Sequence, residues 1–116
     1  MLIRSEKQKD CEAVYAVNEK AFETSAEAIL VDILREQSQR VISLVCEESL
    51  DIVAHIIFSV VKLSGHLYLK LMGFALMAVA PEHQRKVFGS PLVETGFEKC
   101  RQLSYTAVVV LTHPLY

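Results

Sequence analysis

A basic segment between an apolar run and an amphipathic run holds the residues best suited to bind a charged ligand. It covers residues 84–90 and follows the apolar residues 77–80. Main-chain N–H groups at the start of a helix have no partner within the helix, and the helix dipole adds partial positive charge there. Arg85 and Lys86 add two full charges beside these groups. The segment therefore indicates a phosphate site, with an ordinary charged connection between a strand and a helix as the alternative.

Eight periodic segments surround this loop and predict how it is held. Their order is β-α-α-β-β-β-α-β, which predicts one α/β domain with a mixed sheet over residues 1–116. The predicted strands cover residues 2–4, 41–47, 52–61, 68–79 and 106–111, and the predicted helices begin after Asp10, after Thr24 and at Gly89. A polar turn joins the second and third strands, which predicts an antiparallel hairpin. The last run is almost entirely apolar, as expected for a parallel strand covered on both faces.

Residue spacing also predicts the helix starts and the buried helix faces. Asp10 is expected to cap the first helix, and Thr24 with Glu27 forms a capping-box pattern for the second. The buried stripe expected for the second helix consists of Ile29, Leu30, Ile33 and Leu34. The inner face expected for the third helix consists of Leu92, Val93, Phe97, Cys100 and Leu103. Gly73, inside the long fourth run, is typical of a β-bulge.

The composition favours a folded protein of a reducing compartment. The 116 residues are 52% hydrophobic and 22% charged, enough for one domain with a core. A net charge of −2 gives no general attraction to nucleic acid or to an anionic membrane. The three cysteines are widely spaced and match no metal-ligand pattern, so we expect free thiols and no metal. Without a leader or a run long enough to span a bilayer, the sequence predicts a cytoplasmic location.

Residues 84–89 resemble the acyl-CoA signature of the GNAT superfamily of N-acetyltransferases, which reads [Gln/Arg]-x-x-Gly-x-[Gly/Ala]. The six residues here are Gln84, Arg85, Lys86, Val87, Phe88 and Gly89. Residues 13–22, 69–79 and 98–105 look like one bacterial branch of predicted acetyltransferases. Placed between a strand and a helix, the signature gains specificity. The resemblance covers nearly the whole chain and implies a GNAT-like fold that lacks the family's last helix and strands.

The resemblance implies that acetyl-CoA is the co-substrate and that an amine of unknown identity attacks the thioester directly. The pantetheine arm would then bind the main chain of Met77, Ala78 and Val79 at the end of the long strand. The pyrophosphate would take N–H groups from Arg85, Lys86, Val87, Phe88, Gly89 and Ser90, with Gln84 at the first position of the signature. The protein would supply orientation and proton management.

Val87 departs from the family pattern because it stands where the signature has its first glycine. Valine resists φ > 0 and directs two methyl groups toward the phosphates. Ala54, Ser104 and Thr112 are milder changes of the same kind. The chain also ends at Tyr116, where the family continues, so a catalytic acid is not assigned.

Two histidines are candidates for the general base, since the long strand has no carboxylate. His55, in the third predicted strand, would face the acceptor cleft, and His113 follows the last strand near it. A histidine on an apolar strand is more often a hydrogen-bonded packing residue, so that alternative stays open for His55. His83 is expected to be a solvated loop residue.

Three functions follow from these patterns. The leading one is an acetyl-CoA-dependent N-acetyltransferase whose activity is weak or lost. The alternatives are a non-catalytic GNAT remnant that binds a ligand or a protein, and a structural protein without a CoA site. The run 106–111 has neither a charge nor a proline to protect an open strand edge, so we also expect a homo-oligomer joined there.

Overall fold

The computed structural model describes residues 2–37, 41–61, 65, 70–83 and 89–110. The elements in chain order are β1 Leu2–Ser5, α1 Cys11–Phe22, α2 Ala26–Gln37, β2 Val41–Glu48, β3 Asp51–Val61, β4 Leu71–Val79, α3 Gly89–Gln102 and β5 Ala107–Val110. Short 3-10 turns cover Gln8–Asp10 and Pro81–His83. The predicted order of elements and the α/β class are confirmed.

The five strands form one mixed sheet in the order β1-β2-β3-β4-β5. The first three pairings are antiparallel, and β4 pairs with β5 in parallel. The predicted hairpin of β2 and β3 is confirmed. Its turn residues Ser49 and Leu50 both have positive φ, 53° and 72°, which matches the right-handed twist of a tight hairpin.

A bulge in the middle of β4 changes which side chains face each side of the sheet. Ile57 pairs with Leu76 and Phe58 with Phe74, so Ala75 is the extra residue. Phe74 packs on the α3 side before the bulge, and Met77 and Val79 do so after it. The alternation has therefore shifted by one residue within β4.

Gly73 is not at this bulge, so the predicted position was wrong. A Cβ atom on Gly73 would lie 2.6 Å from Cγ2 of Val61 on the neighbouring strand. Gly73 leaves room for the side chain of Val61, and the bulge lies two residues later, at Ala75.

Two hydrophobic clusters cover the two faces of the sheet. The cluster under α3 contains the buried residues Ile42, Leu44, Cys46, Val53, Ala54, Ile56, Phe58, Met72, Leu92 and Cys100. The cluster under α1 and α2 contains Val14, Val31, Val45 and Ile57, with Leu34 and Leu76 partly buried beside them. The three cysteines are free thiols, as expected.

α3 contacts the sheet along a narrower face than predicted. Leu92 and Cys100 are buried, but Phe97 and Leu103 are each 39% exposed. Gly96 lies on the helix between the buried residues Leu92 and Cys100. A Cβ atom at Gly96 would lie 2.6 Å from Cζ of Phe58. The Phe58 ring occupies the space that an inner side chain of the helix would otherwise fill.

α2 is rotated away from the predicted buried stripe. Ile29, Leu30 and Ile33 are 46%, 42% and 41% exposed, whereas Ala28 and Val31 are buried. The reason is Arg35, which lies on the face of Ala28 and Val31 and is bound to the carboxylate of Glu6. This ion pair and the small Ala28 hold that face of the helix toward the sheet, so Ile29, Leu30 and Ile33 remain outside, whereas Leu34, the fourth residue of the predicted stripe, is partly buried.

Asp10 precedes α1 as expected but makes no side-chain capping bond to that helix. Its carboxylate accepts the main-chain N–H of Lys7 at 2.7 Å and two hydrogen bonds from Arg4, at 2.7 and 3.0 Å. Thr24 does cap α2, because its hydroxyl accepts the N–H of Ala26 at 2.9 Å. Among the described helices, none is long and apolar enough to cross a membrane.

β5 is less covered than predicted for a parallel strand. Ala107 is exposed, and Val108 and Val109 are only partly buried. β5 is the outer strand of the described sheet, next to β4.

Candidate functional site

The sheet holds the last residues of β4 through pairing with β3. Val79 lies opposite Ala54 and Ala78 opposite His55. The chain stays attached just beyond the strand, where the N–H of Ala80 donates to the carbonyl oxygen of Val53 at 2.8 Å. The main chain of residues 77–79, predicted to bind a pantetheine arm, is thus fixed on its β3 side.

The parallel pairing with β5 involves the first half of β4. It joins Leu71–Phe74 to Ala107–Val110. Residues 77–79 come after this paired stretch and after the bulge at Ala75. Within the described residues, β4 therefore pairs with β5 through its first half, whereas the ligand is predicted to bind its last three residues.

α3 begins at Gly89, so Gly89 and Ser90 form the start of a helix of 14 residues. Pro91 lies in the first turn, where its missing N–H has no cost to the helix ladder. This is the position at which free N–H groups favour an anion. Gln84, Arg85, Lys86, Val87 and Phe88 lie outside the described residues, and their contacts with a phosphate stay a prediction.

A cleft of about 480 Å³ lies beside the end of β4. One wall is α1, with Ala13, Ala16, Val17 and Lys20. The others are the β2–β3 turn region, with Glu48, Ser49, Asp51, Ile52 and Val53, and the segment after β4, with Ala80 and Glu82. The charged lining residues are three carboxylates and the ammonium group of Lys20, so the cleft suits a cation better than a phosphate.

His55 does not line this cleft. It is completely buried beneath α1 and α2, and both of its ring nitrogens are engaged. Nδ1 lies 3.2 Å from Nδ2 of Asn18, and Nε2 lies 2.8 Å from Oγ of Ser43. Burial, with a contribution from the charge of Arg35, lowers the pKa of His55 to about 3. The expectation that His55 faces an acceptor is wrong, and the packing alternative fits its position.

The tautomer of His55 follows from its neighbours. Nδ2 of Asn18 also donates to the carbonyl oxygen of Val14 at 3.0 Å, and a carbonyl oxygen can only accept. The amide group of Asn18 that faces His55 is therefore NH2, so Nδ1 of the imidazole accepts. Nε2 then carries the proton and donates to Ser43, whose hydroxyl donates to Glu6 at 2.8 Å.

This chain of hydrogen bonds ends at an ion pair. Glu6 accepts a hydrogen bond from the hydroxyl of Ser43. It is also bound by the guanidinium of Arg35, whose Nε lies 3.0 Å from Oε1 of Glu6. Arg35 also donates to Asp32 at 2.6 Å. Asn18, Ser43 and Glu6 are not among the site residues predicted from the sequence. The available signal was Asn18, a polar residue four positions after Val14 on an otherwise apolar helix face.

His113 and Tyr116 lie outside the described residues, so the role of His113 stays a prediction. Met77, Ala78 and Val79 end β4, and Gly89 begins α3 ten residues after Val79, with residues 84–88 of the connection outside the described residues. His55 pairs with Ala78, but its imidazole is buried beneath α1 and α2 and bonded to Asn18 and Ser43, so it is closed to an acceptor.

No family model matches the chain. One curated protein, the uncharacterized N-acetyltransferase YhbS of Escherichia coli K12, is 32% identical over 115 residues. The alignment covers 98% of this chain and 68% of YhbS. At that identity and coverage, the relationship extends well beyond a shared motif.

Two solved structures share the fold at a TM-score of 0.86. One is a GNAT family acetyltransferase of Brucella melitensis in complex with acetyl-CoA, 28% identical, of which this chain covers 77%. The other is YhbS, a GNAT family N-acetyltransferase from Escherichia coli, in complex with CoA, 31% identical and covered over 63% of its length. The chain belongs to the GNAT family of N-acetyltransferases.

Proposed function

We propose that this protein binds acetyl-CoA beside the end of β4 and transfers the acetyl group to an amine. The observation that carries the proposal is the match, at a TM-score of 0.86, to a relative crystallised with acetyl-CoA. The strand predicted before the signature and the helix predicted after it are present as β4 and α3.

The proposed contacts come from main-chain groups. The pantetheine arm binds along Met77, Ala78 and Val79, which β3 holds in place. The pyrophosphate binds residues 84–90, where the start of α3 and the two basic side chains supply positive charge. Val87 stands where the signature has its first glycine, and valine disfavours positive φ, so we expect weak affinity.

In the proposed reaction the amine nitrogen attacks the thioester carbonyl carbon. The ammonium group first loses a proton to the base, a C–N bond then forms as the C–S bond breaks, the electron pair leaves with the CoA sulfur, and the thiolate is protonated by water. The chain contributes orientation through the β4 main chain. The acidic cleft beside β4, with Asp51 and Glu82 on its rim, draws a cationic amine toward the strand end. His113 remains the proposed base.

A non-catalytic ligand-binding module is the second candidate. One observation favours it: both nitrogens of His55 are engaged, and β4 contains no carboxylate. In the described part of the chain, neither candidate on these strands is thus available: His55 is enclosed and β4 supplies no carboxylate. This candidate shares acetyl-CoA binding with the first and differs in turnover.

Titration calorimetry with acetyl-CoA tests binding, and release of CoA thiol in the presence of an amine panel tests turnover. We expect binding, and we expect Val87→Gly to tighten it by about 1–2 kcal/mol through relief of backbone strain. Absence of heat for both proteins at millimolar ligand would contradict acetyl-CoA binding. Binding without thiol release would select the non-catalytic candidate.

We also propose a homo-oligomer joined along residues 106–111. Its support is the position of β5 as the outer strand of the described sheet, with Val108 and Val109 partly exposed. Light scattering over a dilution series should show self-association, which Val109→Lys should abolish. A monomer at high micromolar concentration in both proteins would contradict it.

A further inference from the structure

Four side chains connect α1 to the centre of the sheet through consecutive hydrogen bonds. They are Asn18 on α1, His55 on β3, Ser43 on β2 and Glu6 after β1. All four are buried or partly buried, and Asn18 and His55 are completely so. We call these four residues the buried chain.

The buried chain has a single direction. Asn18, His55 and Ser43 each donate to the next member, and Glu6 only accepts, because the amide of Asn18 is oriented by the carbonyl oxygen of Val14. Glu6 is held in turn by Arg35 of α2. Both helices on this face are thereby attached to fixed positions on the sheet by directional bonds, in addition to apolar contacts.

Asn18 lowers the stability of the fold through one of its own side-chain atoms. Its Oδ1 atom is buried and has no hydrogen-bond partner among the described residues. An unsatisfied buried oxygen costs about 1–3 kcal/mol. Positions that break a local rule at a cost in stability are often functional.

The buried chain begins where α1 packs beside the last residues of β4. His55 lies opposite Ala78, and opposite residues of an antiparallel pair direct their side chains to the same face. α1 packs on β3 and β4 at this place. Val17, next to Asn18, lines the cleft together with Ala80, two residues beyond Ala78. Asn18 therefore anchors α1 beside the residues of β4, Met77 to Val79, that are proposed to bind the pantetheine arm.

We propose that Asn18, anchored by His55, is a positioning residue that fixes α1 against the end of β4 and so sets the affinity for acetyl-CoA. The affinity part rests on the proposed function, and the placement of α1 does not. Without the anchor, α1 loses its side-chain hydrogen bond to β3 and relies more on apolar contacts, which allow sliding that a directional hydrogen bond prevents.

The test compares three variants by acetyl-CoA calorimetry and amide hydrogen exchange. Asn18→Ala removes the anchor, and we expect acetyl-CoA to bind about three- to ten-fold more weakly. Ser43→Ala cuts the buried chain beyond His55 and should leave affinity within about two-fold. Leu44→Val, on the α3 face, is the control for a loss of stability without a change in the buried chain.

Amide exchange gives a readout that does not depend on ligand. Exchange within Cys11–Phe22 should accelerate in Asn18→Ala and not in Leu44→Val. If Asn18→Ala does not fold, His55→Gln takes its place, since glutamine can still reach Ser43 but loses the contact with Asn18.

Equal losses of affinity in Asn18→Ala and Leu44→Val would overturn the proposal, because affinity would then follow stability alone. If the wild-type protein does not bind acetyl-CoA, the proposed function fails. The placement of α1 is then decided by exchange: selective acceleration in Asn18→Ala supports it, and equal exchange in the two variants overturns it.

Discussion

The two faces of the sheet are held by different forces. Under α3 the packing is apolar, and the Phe58 ring contacts the Phe74 and Phe97 rings edge-on, with centroids 5.5 and 6.1 Å apart. Under α1 and α2 a polar chain from Asn18 to Glu6 crosses the apolar cluster. The stability of the face under α3 depends on how well apolar side chains fill the space. The stability of the face under α1 and α2 also depends on the geometry of hydrogen bonds and on charge. The face under α1 and α2 should therefore respond to pH and to single polar substitutions.

Arg35→Ala should give the largest loss of stability on the polar face. The Glu6 carboxylate is almost completely buried and would lose its charged partner. Removing one member of a buried ion pair costs about 3–5 kcal/mol. Urea unfolding should show this loss, and the double variant with Glu6→Gln should recover part of it. A loss below about 1 kcal/mol would mean that the pair is solvated, which would remove the contrast between the two faces.

Acid should weaken the polar face next. The pKa of His55 is lowered to about 3 by burial and Arg35, against an ordinary value of 6.5. Between these values the unfolded chain binds a proton that the folded chain does not. The free energy of unfolding should therefore fall as the pH drops below 6.5, by about 1.4 kcal/mol per unit.

His55→Gln should remove this slope, and denaturant unfolding between pH 7 and about 4.5 measures it. The charged groups around His55 are Glu6 before α1 and Arg35 with Asp32 on α2, and all three remain in the variant. The lower limit avoids Asp10, whose pKa is lowered to about 2 by its hydrogen bonds with Arg4. Its stabilising contribution is lost only as the pH falls through 3.8 toward 2. Equal slopes in wild type and variant would show that His55 is not held neutral.

Gly96→Ala tests the apolar face and should have the smallest effect of the three. A methyl group there meets the Phe58 ring, which Phe74 and Phe97 confine. Overpacking of this kind costs about 1–3 kcal/mol, partly offset by the better helix propensity of alanine. Adding Phe58→Leu should reverse the sign of the alanine substitution. Stabilisation by Gly96→Ala alone would show that the ring moves aside freely.

The elements could be predicted from the sequence, but their rotations could not. Local patterns such as the polar turn between β2 and β3 and the periodicity of the helices fix element type. Which face of α2 is buried depends on Arg35 and Glu6, which are 29 residues apart, so a local apolar stripe such as Ile29, Leu30 and Ile33 misleads. Gly96 and Phe58 show the same limit, because the glycine has meaning only beside a ring from another strand.

The candidate site divides in a similar way. The strand, turn and helix that carry residues 77–90 follow from local sequence, and the comparison with YhbS supports that part through the family. The assignment of His55 failed because burial and two specific partners, Asn18 and Ser43, decide its role. Those partners come from α1 and β2, and no local pattern around His55 indicates them.

Amide hydrogen exchange with and without acetyl-CoA tests the central claim most directly. We predict that acetyl-CoA slows exchange at residues 77–79 and at the first turn of α3, Gly89 and Ser90 included, while β1 and β2 stay unchanged. Protection confined to other parts of the sheet, or none at saturating ligand, would contradict a site for acetyl-CoA at the end of β4.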